Sequence, residues 1–513
     1  MDRLALWLDN PILVKHARSR FRRMQVLPAV AVVMILAMSI VVLGYQYDRL
    51  AGGGTYGGLM LLQSVILGVM GASQVAASVG KARETGILDF HRVSPMSPTA
   101  LTLGFYFGAP IREYLLFLAT LPFSLVCVLS GRPSPLGFVQ LMVPLVLSAW
   151  VMHAIALLNA LAGRGKKSGV GGLVGLVLFL IFGGSSLFYG FTRAAVFVDE
   201  PHALGFYWFD LPWLAVLALD LAPVIGFFLL ASTRKMASER AHLLSKPQAL
   251  ACLGTGAFLL VGGFWKIDFF GYWTLVALYI LIGGAIVMTA TVTPTLDEFA
   301  KGIRKAAKEG RKYPSAWSDR GLNRVVVFCL CGVVLVAPTL IWRAVEEPAT
   351  WASQRGPVSY SLPIAIGVLV VAYFGLSLQY FQLRFGRRGA TVFAFFLFSV
   401  WLLPLVFGAI SAASAARSWG PGSPPDVRSA ALASLSPIFG IATSSGVGGE
   451  TAGHDAVRAA ALVPALVFAL LFNNLVTSTR RKIEKETHPE AARPTEAPVK
   501  PEPDEMAEPV AML

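Results

Sequence analysis

The chain has 513 residues, of which 55% are hydrophobic and only 14% are charged. Because soluble domains carry about 25% charged residues, this composition excludes an ordinary soluble protein. The formal net charge of +14 would suit a nucleic-acid-binding protein. The basic residues flank long apolar runs, however, so they are better explained as membrane-orientation signals, and no nucleic-acid partner is expected.

Apolar runs of 18 or more residues recur along the whole chain. An α-helix needs about 20 such residues to cross a bilayer. Lipid offers no hydrogen-bond partners, so runs of this kind must be helical. The sequence therefore predicts an all-α, polytopic transmembrane bundle. The twelve predicted spans are residues 27–46, 56–80, 101–130, 137–162, 169–192, 211–232, 249–266, 271–292, 325–342, 361–383, 391–411 and 456–476.

The distribution of basic residues predicts the orientation of this bundle. With twelve spans, 33 of the 43 Lys and Arg residues fall on the side of the N-terminus. The positive-inside rule makes that side cytoplasmic, so both termini are expected in the cytoplasm. Residues 431–447 are the main ambiguity, because this apolar stretch is short and contains Pro437. A re-entrant or interfacial segment fits it better than a full crossing.

The spans divide into two halves of six. We expect a cytoplasmic amphipathic helix in residues 1–26, a first half in 27–248 and a second half in 249–476. A disordered cytoplasmic tail, rich in Pro, Glu and Ala, is expected in residues 477–513. The two halves show no evident sequence similarity, so their equivalence depends on topology alone.

The N-terminal segment has a strong helix-start signal, since Asn10 can cap the helix and Pro11 suits its first position. A partly apolar face follows, formed by Leu13, Ala17, Phe21 and Met24. Pro28 is expected to separate this helix from the first span. The pattern favours an interfacial helix lying against anionic lipid, and the alternative is a plain extension of the first span.

The loop between the second and third predicted spans is unusually structured. Residues 81–94 predict a short helical turn that stops at Pro95. Ser97 and Pro98 then restart a helix as its cap and first residue. A short rigid helix held between two spans is able to transmit force to both of them.

This loop resembles the membrane subunit of export-type ATP-binding-cassette (ABC) transporters, the type-2 permease family. That family typically has an E-R-E-x-G-T-L-E/D run followed by S/T-P-L-S. Ala82 and Ile87 depart from the pattern, where Glu and Thr are common. The residues that match are Arg83, Glu84, Gly86, Leu88, Asp89, Pro95 and Ser97. Weaker similarity extends over about half of the chain, at residues 10–20, 104, 112–113, 122–123, 245–248 and 436–437.

The resemblance implies that these seven residues form an ATPase-coupling loop. It implies a cytoplasmic ABC ATPase partner, expected as a dimer, with ATP and Mg²⁺ bound by that partner. The chain itself is then no enzyme, carries no cofactor, and lies in the bacterial inner membrane among its lipids. The stretch Gly163–Ser168 lacks the glycine and lysine spacing of a P-loop, so it is a basic loop. Nothing in the sequence indicates the substrate.

A second coupling candidate lies between the second and third spans of the other half. Thr295 and Glu298 form a capping box. Phe299 and Ile303 belong to an apolar stripe, and Arg304 belongs to the opposite, basic face. The helix is either a surface helix on lipid headgroups or a docking element for a partner. Two arrangements are open: one chain supplies the whole membrane unit, or a second permease chain pairs with it.

Four ionisable residues fall within predicted spans: Arg112, Glu113, His153 and Asp220. A charge at the bilayer centre costs roughly 2.5–3.5 kcal/mol on insertion scales, so such residues need partners. Arg112 and Glu113 are adjacent, so they point about 100° apart and are not expected to face each other. Each needs a partner elsewhere or a water-filled path. The set either lines a translocation path or pairs helices. No span contains His, Asp and Glu at metal-ligand spacing.

Two other classes of function match parts of the sequence. A twelve-span, ion-coupled secondary transporter is the main alternative, because two six-span halves are typical of such carriers. An intramembrane serine protease would use the small-residue stretch Gly183–Ser186 with His153 as its base. Small residues at a helix crossing explain that stretch more simply, so the protease is disfavoured.

Overall fold

The structure is a computed structural model of the chain. It describes residues 10–51, 54–130, 134–162, 203–265, 272–311, 313–344, 360–419, 427–444 and 455–487. Predicted span 169–192 and the stretches 163–168 and 183–186 lie outside the described residues.

Nearly all regular structure is helical. The helices of the first half are α1 (Pro11–Arg20), α2 (Arg23–Ala51), α3 (Gly54–Ser64), α4 (Gly71–Glu84), α5 (Ile87–Val93), α6 (Pro98–Gly108), α7 (Ile111–Leu129), α8 (Pro135–Ala162) and α9 (Trp213–Ala237). A π-helical turn, Val65–Met70, joins α3 to α4. A hairpin of two antiparallel strands, β1 (Ala203–Phe206) and β2 (Phe209–Pro212), precedes α9.

The second half continues with α10 (Lys246–Phe264), α11 (Tyr272–Val292), α12 (Leu296–Lys308), α13 (Arg324–Ala344) and α14 (Ser361–Phe385). It ends with α15 (Gly389–Leu397), α16 (Leu403–Trp419), α17 (Val427–Ser434), α18 (Pro437–Ser444) and α19 (Asp455–Thr487). A 3₁₀ turn, Gly386–Arg388, separates α14 from α15, and a π turn, Phe398–Leu402, joins α15 to α16.

Within the described part of the chain, ten helical stretches are long and apolar enough to cross a membrane. They confirm the coarse prediction of a multi-pass helical membrane protein. They are Val26–Gln46, Thr55–Glu84, Ile111–Leu129, Pro135–Ala162, Trp213–Ala237, Lys246–Phe264, Thr274–Val292, Arg324–Arg343, Ser361–Ser414 and Asp455–Thr487.

The longest of these stretches, Ser361–Ser414, folds back on itself. The indole of Trp401 donates a hydrogen bond to the hydroxyl of Tyr373 at 2.5 Å, and the rings of Phe374 and Phe393 lie 5.0 Å apart. In one straight helix, residues 374 and 393 would be about 28 Å apart. The chain therefore reverses at Gly386, whose φ of +52° suits only glycine. Predicted spans 361–383 and 391–411 fall on the two arms.

The prediction of one continuous helix over 101–130 was wrong. The chain forms α6 and α7 instead, with a break at Ala109 and Pro110. Proline lacks the amide proton that would continue the α6 hydrogen-bond ladder, so the break falls there. The candidate span begins only at Ile111.

The described part of the stretch 431–447, residues 431–444, does not form a spanning helix. It lies largely in α17 and α18, each of eight residues and about 12 Å long. The hydroxyl of Ser436 donates to the carbonyl of Trp401 at 2.6 Å, and Tyr279 donates to the carbonyl of Ile438. These contacts hold the break between the two short helices against the bundle.

The N-terminal helix begins as predicted. The Asn10 side chain accepts from the backbone amides of Ile12 and Leu13, with Pro11 in the first turn. The break before the first span lies at residues 21–22, and Pro28 lies inside α2, so the expected break at Pro28 was wrong. Proline is tolerated near the start of a helix, where few backbone hydrogen bonds are lost.

Helix α1 packs on α6 within the chain. The side-chain amide of Asn10 donates to the Ala100 carbonyl at 2.6 Å, and Ile12 is 3% exposed. The approach is close because α6 presents a glycine there: a Cβ on Gly104 would lie 2.7 Å from the Cβ of Ile12. The ring of His16 packs edge-on against Phe105.

The first part of the predicted C-terminal tail, residues 477–487, is helical. Helix α19 continues through Thr487, so this part is not disordered. The side chain of Ile483 packs in a small cluster with Phe299, Ile303 and Leu383, which explains the longer helix. Residues 488–513 lie outside the described part.

The main hydrophobic core joins both predicted halves. It contains Val79 and Leu88 from the first half and Leu281 and Val371 from the second, all at most 2% exposed. At one end of the bundle, the end of α4 lies close to the residues that follow α9, where Arg83 pairs with Glu239. We call this end, with residues 81–98, 234–246 and the described residues of 295–323, the basic end. The β1–β2 hairpin lies at the other end of α9, where Phe206 packs against Gly262.

We expect Gly104→Ala to displace α1. The added methyl group would meet Ile12 at 2.7 Å and the Asn10 side chain at 2.9 Å. Overpacking of this kind costs typically 1–3 kcal/mol. The melting temperature of the purified protein should fall. The control is Gly80→Ala, where no atom lies within 4 Å of the added Cβ, and it should leave the melting temperature unchanged or slightly higher.

Acid should also weaken the packing of α1. Burial first, then Arg20 and Lys15, lower the pKa of His16 from 6.5 to about 4. Between these two values the unfolded chain binds the proton and the folded chain does not, so stability falls as pH drops. Below pH 6.5, wild-type protein should lose melting temperature relative to His16→Gln. Parallel curves for the two proteins would contradict this.

Candidate functional site at the basic end

The predicted coupling loop folds as a short helix between two tight turns. Gly86 adopts a left-handed conformation with φ of +70°, which ends α4 and begins α5. A side chain at this position would be strained. Helix α5 stops at Ser94, and the Ser97 hydroxyl then caps α6 by accepting from the Ala100 amide. The two stop and start signals in this loop are thereby confirmed.

One face of α5 anchors it to the rest of the bundle. Leu88 is 2% exposed and belongs to the main core. The guanidinium of Arg92 donates to the carbonyls of Met236 and Lys235, both at 3.1 Å. These carbonyls belong to the last turn of α9, where they lack helical partners and where the helix dipole attracts a cation. Arg92 therefore caps the C-terminal end of α9 and holds α5 against it.

Two ion pairs lie beside this attachment, one between the end of α4 and the residues after α9 and one within α5. Arg83 pairs with Glu239 at 2.6 Å, and Arg92 pairs with Asp89 at 2.6 Å. The Arg83 and Glu239 side chains are 30% and 47% exposed, and pairs this exposed contribute about 0–1 kcal/mol. The anchoring therefore depends mainly on Leu88 and Arg92.

The opposite face of α5 is apolar and uncovered. Ile87 is 38% exposed, Phe90 67% and Val93 84%. They are three residues apart and so share one side of the helix. The acidic residues Glu84 and Asp89 are exposed beside them. This α5 face, meaning Ile87, Phe90 and Val93, is the main feature that sequence reasoning missed, although the spacing of its residues was a usable signal.

The seven residues of the predicted coupling loop thus have different positions. Glu84 and Pro95 are exposed, and Asp89 is exposed but paired with Arg92. The others hold the loop together: Arg83 by its ion pair, Gly86 by its turn, Leu88 by burial and Ser97 by its cap.

The second coupling candidate, α12, has its capping box between Thr295 and Glu298. Its apolar stripe faces the bundle: Phe299 is 2% and Ile303 0% exposed, against Leu383 and Ile483. The stripe is therefore covered by the bundle, and the basic face is the surface of this helix that remains for lipid headgroups or a partner. The exposed face is basic and includes Arg304. Glu298 also faces the His242 ring, with 3.5 Å between Oε2 and Nε2.

The segment 234–246 joins the two loops. Arg234, in the last turn of α9, pairs with Asp319 at 2.6 Å in the loop that follows α12. The same guanidinium donates to the His242 carbonyl at 3.2 Å. The end of α9 thus contacts α5 through its carbonyls and the second loop through Arg234.

Lys246 gives the same segment a second attachment. Its side chain is fully buried, and its Nζ donates to the carbonyls of Ala316, Gly321 and Leu322 at 3.0, 2.7 and 3.1 Å. A buried ammonium needs such acceptors to offset its lost hydration. The lysine therefore fixes the fold of residues 316–322 against the start of α10.

The ionisable residues inside the candidate spans pair locally. His153 donates from Nε2 to the Leu67 carbonyl at 2.8 Å, within the π turn, and its Nδ1 lies 3.2 Å from the Tyr114 hydroxyl. Arg112 and Glu113 do face each other, at 2.7 Å, which corrects the expectation that they could not. The long arginine side chain bends back onto its neighbour. Asp220 is fully buried on α9.

Comparison with family models finds no match for this chain, and comparisons with curated proteins and with solved structures find none either. The resemblance of residues 81–98 to the ABC permease loop therefore stays a prediction.

We expect Arg92→Met to destabilise the protein more than Arg83→Met. Arg92 donates to two carbonyls at the end of α9, and hydrogen bonds from charged groups contribute about 1.5–3 kcal/mol. Arg83 makes an exposed ion pair, for which about 0–1 kcal/mol is typical. Melting temperatures of the two variants in the same detergent test this ranking. An equal or larger loss for Arg83→Met would contradict it.

Proposed function

We propose that the protein is the permease subunit of an ABC exporter in a bacterial inner membrane, with its basic end in the cytoplasm. In this proposal α5 docks on a partner ATPase and passes the nucleotide cycle to the spans. The observation that carries the proposal is the α5 face: three uncovered apolar side chains on a helix whose other side is anchored. The resemblance of residues 81–98 to the coupling loop of such permeases supports it.

Charge favours a protein partner over lipid headgroups for this face. The arginines of the loop are already engaged, Arg83 with Glu239 and Arg92 with Asp89 and two carbonyls. Asp89 is the partner of Arg92, and the remaining exposed charges of the loop, Lys81 and Glu84, balance each other. The loop therefore carries no net positive charge that anionic headgroups would attract. An apolar groove on another protein suits its uncovered face better.

The anchoring contacts supply a route for motion. A displacement of α5 is passed to the end of α9 through Arg92. From there it is passed to the loop that follows α12 through the ion pair of Arg234 with Asp319. Helices linked in this way respond by rigid-body shifts. The basic, exposed face of α12 is the natural second contact for an ATPase dimer.

An ion-coupled secondary transporter is the second candidate, and one observation favours it. Glu113 is fully buried within a candidate span, and among the described residues its Oε2 atom has no hydrogen-bond partner. Buried carboxylates in spans often serve ion pathways. Transport by the purified chain alone, driven by a proton or sodium gradient without ATP, would favour this candidate over the exporter.

The exporter proposal predicts co-purification of an ABC ATPase with the tagged protein from its native membranes in mild detergent. Phe90→Asp should reduce recovery of the ATPase about tenfold or more, because it places a charge at the centre of the proposed contact. The control is Trp208→Ala, which removes an aromatic side chain that is 73% exposed at the opposite end of α9. It should leave recovery unchanged.

Two results would overturn the proposal. The first is recovery of wild-type protein without any ATPase under conditions that preserve known complexes. The second is equal ATPase recovery with wild-type protein and with Phe90→Asp, after both have been shown to insert and fold alike.

A further inference from the structure

The β1–β2 hairpin carries aromatic residues at a turn where glycine would be favoured. Its two turn residues are Tyr207 and Trp208, and Phe206 pairs with Phe209 on either side of them. Tyr207 adopts a left-handed conformation with φ of +53°, which a residue with a side chain reaches only at a cost in free energy. Glycine at this position would form the turn without that cost. The turn itself therefore does not explain its aromatic side chains.

Contacts with α10 hold the strained turn in place. The backbone amide of Tyr207 donates to the Gly262 carbonyl at 3.2 Å, and its hydroxyl donates to the Phe258 carbonyl at 2.7 Å. The centroid of its ring lies 5.0 Å from that of Phe258 and 5.4 Å from that of Trp265. Phe206 packs against Gly262, where a Cβ would lie 2.6 Å from its ring. The hairpin is therefore fixed to the last two turns of α10.

The outer side of the turn is apolar and uncovered. Trp208 is 73% exposed and Phe209 is 64% exposed. Phe258, on the neighbouring surface of α10, is 58% exposed within the candidate span Lys246–Phe264. The ring of Tyr207 contacts both sides of this surface, since its centroid lies 5.7 Å from that of Trp208 and 5.0 Å from that of Phe258. The uncovered apolar surface of the span therefore continues onto the hairpin.

The position of the turn along α10 matches the edge of a bilayer. The ring centroid of Trp208 lies 5.3 Å from that of Trp265, which follows the end of the candidate span at Phe264. Phe258 lies six residues before that end, about 9 Å along the helix. Interfacial elements bury their apolar side by roughly 5–10 Å, which is the same depth. The backbone of the turn lies at the level of Gly262, close enough to the headgroups for water to reach its polar groups.

We infer that the tip of the hairpin, with Trp208 and Phe209, inserts into the lipid interface of the leaflet opposite the basic end. Trp and Tyr favour this region because each combines an apolar ring with a polar N–H or O–H group. The partner is the boundary between phospholipid headgroups and acyl chains. Because β2 runs directly into α9 and the turn is fixed to α10, insertion holds the adjoining ends of both helices at one depth.

This role does not depend on the proposed exporter function. It requires only that α9 and α10 cross a bilayer, and both are candidate spans. At the basic end the same two helices are joined by residues 234–246. The inserted hairpin therefore gives this helix pair a second fixed point, at its other end.

The test places a nitroxide spin label on the turn of the full chain in nanodiscs of phosphatidylcholine. Trp208→Cys and, separately, Phe209→Cys are made together with Cys329→Ser, since the other three cysteines are buried. Access of oxygen, which partitions into lipid, and of a water-soluble nickel chelate gives the depth of each label. Leu118→Cys, 55% exposed in a candidate span, is the lipid reference, and Lys301→Cys, exposed on α12, is the water reference.

At both turn positions we expect a ratio of oxygen to nickel access that is several-fold above that at Lys301 and below that at Leu118. A ratio equal to that at Lys301 would place the turn in water and overturn the inference. A ratio equal to that at Leu118 would place it in the hydrocarbon and exclude an interfacial position. Low access of both reagents would show that protein covers the turn, which also overturns the inference.

A second measurement needs no label and guards against misfolding of the cysteine variants. Trp208→Phe keeps an aromatic ring at the turn, and the Trp emission that this substitution removes from wild-type protein belongs to Trp208. In nanodiscs, phospholipids brominated near the headgroup should quench this emission more strongly than phospholipids brominated near the chain ends. Quenching by aqueous iodide but by neither lipid would contradict the inference.

Discussion

Carbonyl groups at the ends of helices and in loops need donors, and basic side chains supply them at one end of this bundle. The last carbonyls of α9 have no partners within their own helix, and Arg92 donates to two of them. The carbonyls of residues 316, 321 and 322 converge on the buried amine of Lys246. Because each cation comes from a different element than its acceptors, the same contacts that satisfy the backbone also join the two loops.

This arrangement gives the basic end two kinds of surface. The anchored side of α5 is committed to α9, and its free side presents Ile87, Phe90 and Val93. On α12 the apolar stripe is committed to the bundle, and the free side is basic. A partner that contacts both would meet one apolar element and one cationic element, held at a fixed separation by residues 234–246.

Local signals in the sequence were sufficient for much of the fold. Run length predicted the candidate spans, and caps such as Asn10, Ser97 and Thr295 predicted where helices begin, because these effects act within a few residues. Tertiary contacts were out of reach. The apolar stripe on α12 was predicted, but nothing in the sequence indicates that Leu383 and Ile483 cover it. Arg112 and Glu113 pair because a long side chain can bend, which backbone spacing alone does not reveal.

The central claim is that residues 234–246 couple the two loops. Hydrogen–deuterium exchange of wild-type protein and Asp319→Asn, compared in the same nanodiscs, tests it most directly. The substitution frees Arg234 at the end of α9. Exchange should rise in residues 313–323. It should also rise in α5, because Arg92 anchors α5 to the same end of α9. A rise confined to residues 313–323, with α5 unchanged, would contradict the claim.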